Sequence, residues 1–237
     1  MPDSFKLLTV IIPVYNENST INEVIKKVSA IELPLEIEII VIDDGSNDGT
    51  TETLQAQTES KIVFYFTPVN VGKGAAIRIG LKLAKGDIIL IQDADLEYDP
   101  SDYQSLLKPI LEGQTQVVYG SRFLKKNTIA IHRRLANRSL TILTNQLYGT
   151  KLTDMETGYK VFTAKVSSKL FLRANHFEIE PEITARIFQS GYKITEVPIS
   201  YRPRTKIEGK KIGWKDGVKA IWMLFKCRLE KKKDLNG

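Results

Sequence analysis

The chain has 237 residues, 42% apolar and 26% charged, with 15 Gly and 9 Pro, a globular composition that excludes disordered, collagen-like and coiled-coil chains. One cysteine, Cys227, excludes an internal disulfide, and two histidines, His132 and His176, argue against a structural zinc site. The formal charge of +6 is unevenly placed: residues 202–237 carry twelve Lys/Arg against four Asp/Glu, and the part before them is slightly acidic.

Leu7–Pro13 reads as a buried strand, apolar and β-branched, closed by proline. Ile21, Val24, Ile25 and Val28 at helical spacing behind Ser19 and Thr20 predict a helix. Ile37–Ile42 predicts a second strand that ends in Asp43-Asp44-Gly45-Ser46. A helix over Thr51–Gln57 and a strand over Ile62–Phe66 follow, and Asn70-Val71-Gly72-Lys73-Gly74 opens a helix that runs to Ala84. Asp87–Gln92 is a fourth strand, ending in Asp93-Ala94-Asp95. Beyond it come a helix over Asp102–Leu111, a strand over Val117–Gly120, helices over His132–Tyr148 and Glu180–Gln189, and a strand over Tyr192–Tyr201. Trp214–Leu229 reads as a terminal helix with Val218, Ile221, Trp222, Phe225 and Leu229 on one face and Lys215, Lys219 and Lys226 off it.

Strands that are apolar throughout and alternate with helices predict an α/β fold with a mostly parallel sheet covered on both faces. Ligands of such sheets sit beyond the carboxyl ends of the strands. Tyr15-Asn16-Glu17, Asp43–Ser46 and Asp93–Asp95 each follow a strand, so they are expected on one rim. No repeat or linker divides the chain, which reads as a single domain over residues 1–237, with a core of about 7–213 and a helix and basic tail over 214–237.

Asp93 and Asp95 are two residues apart, and if the extended conformation persists their side chains point the same way. Adjacent carboxylates repel unless a cation or shared proton relieves them, and oxygen-only ligands suit Mg²⁺ or Mn²⁺. Glu97 is a third ligand candidate; the alternative is a solvated acidic turn. Asp43-Asp44-Gly45-Ser46 reads as a tight turn or as acceptors for a base or ribose. Gly72-Lys73-Gly74 could hold phosphate at a helix start, but Ile77 stands at the third glycine position of the dinucleotide fingerprint, and no Walker A motif occurs. The basic C-terminal block suits anionic lipid, nucleic acid or a phosphorylated ligand, or is a solvated tail.

Taken in order, Ile12-Pro13-Val14-Tyr15-Asn16-Glu17, Asp43-Asp44-Gly45-Ser46, Asn70-Val71-Gly72-Lys73-Gly74, Asp93-Ala94-Asp95 and Gly120-Ser121-Arg122 resemble the family 2 inverting glycosyltransferases. The branch most similar is that of the polyprenyl-phosphate (dolichyl-phosphate) mannose or glucose synthases. Thr153-Asp154-Met155-Glu156-Thr157-Gly158-Tyr159-Lys160, Phe177-Glu178-Ile179-Glu180-Pro181-Glu182 and Tyr201-Arg202-Pro203-Arg204 extend the resemblance over about residues 7–217.

The resemblance implies a GT-A type fold and assigns roles. Pro13, Tyr15 and Glu17 would border the base and ribose, Ile42 and Asp44 (or Asp43) would read them, and Lys73 would lie near the nucleotide. Asp93 and Asp95, flanking Ala94, would bind Mg²⁺ or Mn²⁺ on the donor diphosphate. Arg122 would contact the donor's phosphates or sugar, and Arg133 the acceptor phosphate, with Asn137 where the family often has Ser. Arg204 and Lys211, or their near neighbours Arg202 and Lys210, would close a loop over the diphosphate.

The implied reaction moves a hexose from a nucleotide sugar, GDP-mannose or UDP-glucose, to a polyprenyl phosphate. A phosphate monoester with a second pKa near ~6 is already anionic at neutral pH, so no strong base is needed. A sugar or protein hydroxyl as acceptor would need a carboxylate, Asp154 or Glu156, although Asp154 reads better as a loop-orienting residue. A non-catalytic nucleic-acid module using the basic tail is the rival of another class, against which the acidic rim speaks. No run reaches the roughly 20 apolar residues of a membrane span and no signal core is visible, so a cytoplasmic protein is expected. Peripheral membrane contact through the terminal helix is expected with it.

Overall fold

A computed structural model of the chain describes residues 5–59, 61–204 and 214–230. Its strands are β1 (Leu7–Val14), β2 (Glu36–Asp43), β3 (Ile62–Phe66), β4 (Ile88–Ile91), β5 (Val117–Ser121), β6 (Lys160–Thr163) and β7 (Thr195–Pro198). They form one sheet in the order β3-β2-β1-β4-β6-β5-β7. All neighbours are parallel except β6, which runs antiparallel to both β4 and β5.

The helices are α1 (Ile21–Ser29), α2 (Thr50–Gln55), α3 (Lys73–Leu83), α4 (Tyr103–Leu111), α5 (Ile131–Tyr148), α6 (Ala164–Ser167), α7 (Ile179–Gln189) and α8 (Trp214–Leu229). They cover both faces of the sheet, which is why β1 shows no polar alternation. Val10 and Ile12 pack with α1 and α4, while Ile11 between them packs with Ile77 of α3 and Ile183 of α7. The strand period of two thus feeds two cores at once. Gly80 permits the close approach of α3, because a Cβ there would fall 2.4 Å from Cγ2 of Ile11.

Three strands depart from the sequence expectation. β1 runs on through Pro13 to Val14: β4 pairs β1 only as far as Ile11, so Pro13 faces a strand on the β2 side alone. β6 has no counterpart among the expected strands, because it is only four residues long and begins with Lys160; this lysine is fully buried on a partner that sequence does not show. β7 spans only Thr195–Pro198 of the expected Tyr192–Tyr201, an edge strand paired with β5 over four positions.

The terminal helix forms as expected, and the apolar stripe read from its sequence faces outward while another side packs on the protein. Ala220, Met223, Leu224 and Cys227 are buried, and Val218, Trp222, Phe225 and Leu229 are exposed. The smaller residues Ala220 and Cys227 let α8 lie close, and the Leu224 carbonyl accepts a hydrogen bond from the Tyr148 hydroxyl of α5. Among the described residues no helix is long and apolar enough to cross a membrane.

Candidate active site

The loops after β1, β2 and β4 do meet on one rim, around a cleft of about 920 Å³. Pro13, Tyr15, Glu17, Asp44, Lys73, Asp93, Ala94, Asp95, Glu97, Arg122, Arg133 and Arg204 all line it. Ile42 does not: it is buried beneath the rim, packed with Ile40 and Ala76. Lys210 and Lys211 lie outside the described residues.

The β2 end holds the neighbouring loops in place. Asp43 accepts hydrogen bonds from the Ser46 amide and hydroxyl and from Thr51. Asp44 accepts the amides of Val71 at 2.9 Å and Gly72 at 2.6 Å, so its carboxylate orients the loop that opens α3. Gly72 has φ +116, and a Cβ there would lie 2.3 Å from the Asn175 carbonyl, so only glycine fits this turn.

Lys73, the first residue of α3, donates to Asp93 at 2.6 Å and to Glu180 at 2.9 Å. Burial opposes its charge, but these two carboxylates outweigh burial and raise its pKa well above the usual value. Glu180 also pairs with the buried Lys160. Burial pushes Glu180 up, and the two lysines more than reverse this, leaving it below the ordinary glutamate range. Glu180 and Lys160 were missing from the expected site; the signal was a lysine in an otherwise apolar strand, which demands a buried partner.

The Asp93–Asp95 segment is a turn, not a continued strand, and Leu96 adopts φ 60. The two carboxylates therefore meet different cations, Asp93 with Lys73 and Asp95 with Arg204 at 3.0 Å. Burial, then the charges of Asp93 and Glu97, push Asp95 up to about 7 against the pull of Arg204. A divalent cation at these carboxylates would offset the burial and like-charge repulsion that Arg204 only partly offsets. Glu97 is engaged elsewhere, accepting from the Tyr201 hydroxyl at 2.9 Å and the Arg204 amide at 2.7 Å, and so secures the 201–204 segment. Among the described residues no three His, Cys, Asp or Glu side chains gather as a ligand set. A metal here would have two aspartates and would draw its other oxygens from ligand and water.

Arg122 at the end of β5 is held by Asp154, which accepts its Nε and Nη2 at 2.7 Å each and its backbone N at 3.0 Å. The guanidinium also lies 5.3 Å from the Tyr201 ring centroid. Glu196 in turn accepts the amides of Thr153 and Asp154, a supporting residue that sequence did not reveal. Asp154 is fully buried, and all three described hydrogen bonds to its carboxylate come from Arg122. Arg133 lines the wall built by α5 and α8 beside Asn137, with Ala136, Leu140, Val218 and Ile221 supplying apolar surface.

The sequence model for glycosyl transferase family 2 matches residues 9–174. Glycosyltransferase AglJ of Haloferax volcanii is 31% identical over 86% of this chain and 64% of its own length. The undecaprenyl-phosphate 4-deoxy-4-formamido-L-arabinose transferase of Aeromonas hydrophila is 39% identical over 46% of this chain and 35% of its own. The chain thus spans less than two thirds of both relatives. Glucosyl-3-phosphoglycerate synthase of Mycobacterium tuberculosis in complex with UDP superposes with TM-score 0.74 at 22% identity, over 96% of this chain and 82% of that one. The fold is therefore GT-A-like, a seven-stranded, mostly parallel sheet flanked by helices.

Proposed function

The chain belongs to glycosyl transferase family 2 and is a glycosyltransferase; we propose that it transfers a hexose, from GDP-mannose or UDP-glucose, to a polyprenyl phosphate with inversion at the anomeric carbon. The observation that carries this reading is a single cleft whose lining joins Asp93 and Asp95 to an apolar wall bearing Arg133. One part suits a metal-bound diphosphate and the other a lipid phosphate. The Aeromonas hydrophila relative carries undecaprenyl phosphate in its name.

A nucleoside diphosphate departs with growing negative charge, which cations stabilise more in the transition state than in the ground state. Mg²⁺ or Mn²⁺ held by Asp93 and Asp95 would supply Lewis-acid neutralisation of the diphosphate; the Mycobacterium tuberculosis enzyme has been solved with UDP and either ion. Lys73 holds Asp93 in position from the α3 end. Arg122, locked by Asp154, presents a fixed charge that need not reorganise. Arg204 pairs with Glu17 and Asp95 at the edge of the cleft, where its guanidinium would be placed to clamp the departing phosphates. Arg133 holds the acceptor phosphate in line behind the anomeric carbon.

The exposed face of α8 extends the same reading. Val218 and Ile221 stand in the cleft lining, and Trp222, Phe225 and Leu229 continue the stripe along the helix. Lys215, Lys219 and Lys226 border it at helical spacing. Such a face suits the cytoplasmic surface of an anionic membrane, with the acyl boundary under the stripe and headgroups at the lysines.

A panel of nucleotide sugars with Mg²⁺ or Mn²⁺ and a short polyprenyl phosphate, followed by nucleotide release, tests the proposal. Transfer to a soluble sugar, with none to the lipid phosphate, overturns it.

A further inference from the structure

Between the Arg122–Asp154 pair and the Lys73–Glu180–Lys160 group lies a carboxyl that neither uses. Glu156 lines the cleft, and its Oε1 is buried with no hydrogen-bond partner among the described residues. Its neighbours are already matched. Asp154 takes three hydrogen bonds from Arg122, and Lys160 is divided between Glu180 and the carbonyls of Met155 and Thr157. A buried acceptor left without a donor is costly, and native chains keep few of them. Its retention in a cleft wall points to a donor that arrives with the ligand.

The position indicates which part of the ligand. The turn that carries Glu156 runs against the first metal carboxylate: a Cβ on Gly158 would fall 2.3 Å from Oδ2 of Asp93. The Gly158 amide is pinned by the Tyr98 hydroxyl at 2.9 Å, so this turn has a fixed place beside the diphosphate site. A group attached to the diphosphate comes within reach of Glu156. A hexose offers hydroxyl donors in a stereochemically defined pattern, and a fixed carboxyl accepts from one epimer and is left unpaired by another.

On the nucleotide-sugar reading above, we infer that Glu156 accepts hydrogen bonds from hydroxyl groups of the transferred sugar and so selects which hexose is used. Burial raises the Glu156 carboxyl to about 7, Lys160 and Arg122 pulling it down and Glu180 and Asp154 pushing it up. The environment thus resists a bare charge that incoming hydroxyls would solvate.

The test is calorimetry on the full chain with Mn²⁺, comparing UDP, UDP-glucose, UDP-galactose, GDP and GDP-mannose on the native protein, Glu156→Gln and Glu156→Ala. Melting curves confirm that the variants fold, and the isosteric Gln variant keeps the test valid if Ala does not. Affinity for the sugar-free nucleotide should stay within about twofold. Affinity for the preferred nucleotide sugar should fall about 10- to 100-fold, the loss of one or two hydrogen bonds to a charged acceptor, and discrimination between epimers should narrow. Equal losses for nucleotide and nucleotide sugar, or none for either, overturn the inference. So does a fall in kcat with unchanged donor affinity, which would make Glu156 a general base. A native protein that binds no nucleotide overturns the nucleotide-sugar reading itself and this inference with it.

Discussion

Arg204 reaches Asp95 across the cleft at 3.0 Å while its other terminal nitrogen contacts both carboxylate oxygens of Glu17, at 3.1 and 2.9 Å. An arginine thus sits on the carboxylate that a metal would take, and the two cations compete. Arg204→Ala should therefore tighten Mn²⁺ binding in the absence of nucleotide, by roughly fivefold for a partly buried pair. It should also lower kcat, because the leaving diphosphate loses a clamp. Isothermal titration with Mn²⁺ and single-turnover assays read the two effects; weaker Mn²⁺ binding in the variant would show that Arg204 supports the metal site instead.

Asp95→Asn should reduce turnover by at least about a thousandfold, since the Lewis acid is lost with its ligand. The fold should not suffer, because the weakened contact with Arg204 is offset by relief of the burial and of the repulsion from Asp93 and Glu97 that the carboxylate bears. Chelation by EDTA should reproduce the loss, and Mn²⁺ should restore the native enzyme only. Full activity in the variant would remove the metal from the mechanism.

Asp154→Asn should cost about 3–5 kcal/mol in urea unfolding, as expected when one partner of a buried pair is removed and the Arg122 charge stays. A variant of native stability that has lost only kcat would instead identify Asp154 as a base.

Glu156 links the site to pH. Folding raises its carboxyl from about 4.5 to about 7, so between these values the folded chain holds a proton that the unfolded chain has released. Stability from this group is present below about pH 4.5 and declines as pH rises through the window. Glu156→Gln should therefore be more stable than the native chain at pH 8, by on the order of 2–3 kcal/mol, with the difference vanishing near pH 4. Parallel denaturation at the two pH values checks this; a constant difference would mean that the carboxyl already has a partner.

Trp222→Ser with Phe225→Ser should weaken co-sedimentation with anionic phospholipid vesicles by about tenfold or more while leaving the melting temperature within a few degrees, because both side chains are half exposed, at 58% and 44%. High salt should weaken native binding through the bordering lysines. Unchanged vesicle binding would remove the membrane from the reading of α8.

Much of the molecule was legible from residue order. The near-continuous apolar strands β1, β2 and β4 could only be buried on both faces, and that by itself places Glu17, Asp44, Asp93 and Asp95 on one rim. The strand β6 was hidden because it is short and begins with a charge. For α8 the periodicity showed a stripe that could face either a membrane or the protein, and only packing decided that Ala220, Met223, Leu224 and Cys227 turn inward.

The sequence alone determined the α/β class, the carboxyl-end rim and the residue types that gather there, since these follow from local periodicity and from polar residues placed directly after strands. Only the tertiary structure decided which charge meets which. Asp93 found Lys73, Asp95 found Arg204, Asp154 took Arg122, and Glu156 was left without a described partner. Pairing of this kind depends on distances of a few ångströms between residues up to 109 positions apart, and Coulomb and hydrogen-bond energies at that range are set by packing, not by order along the chain.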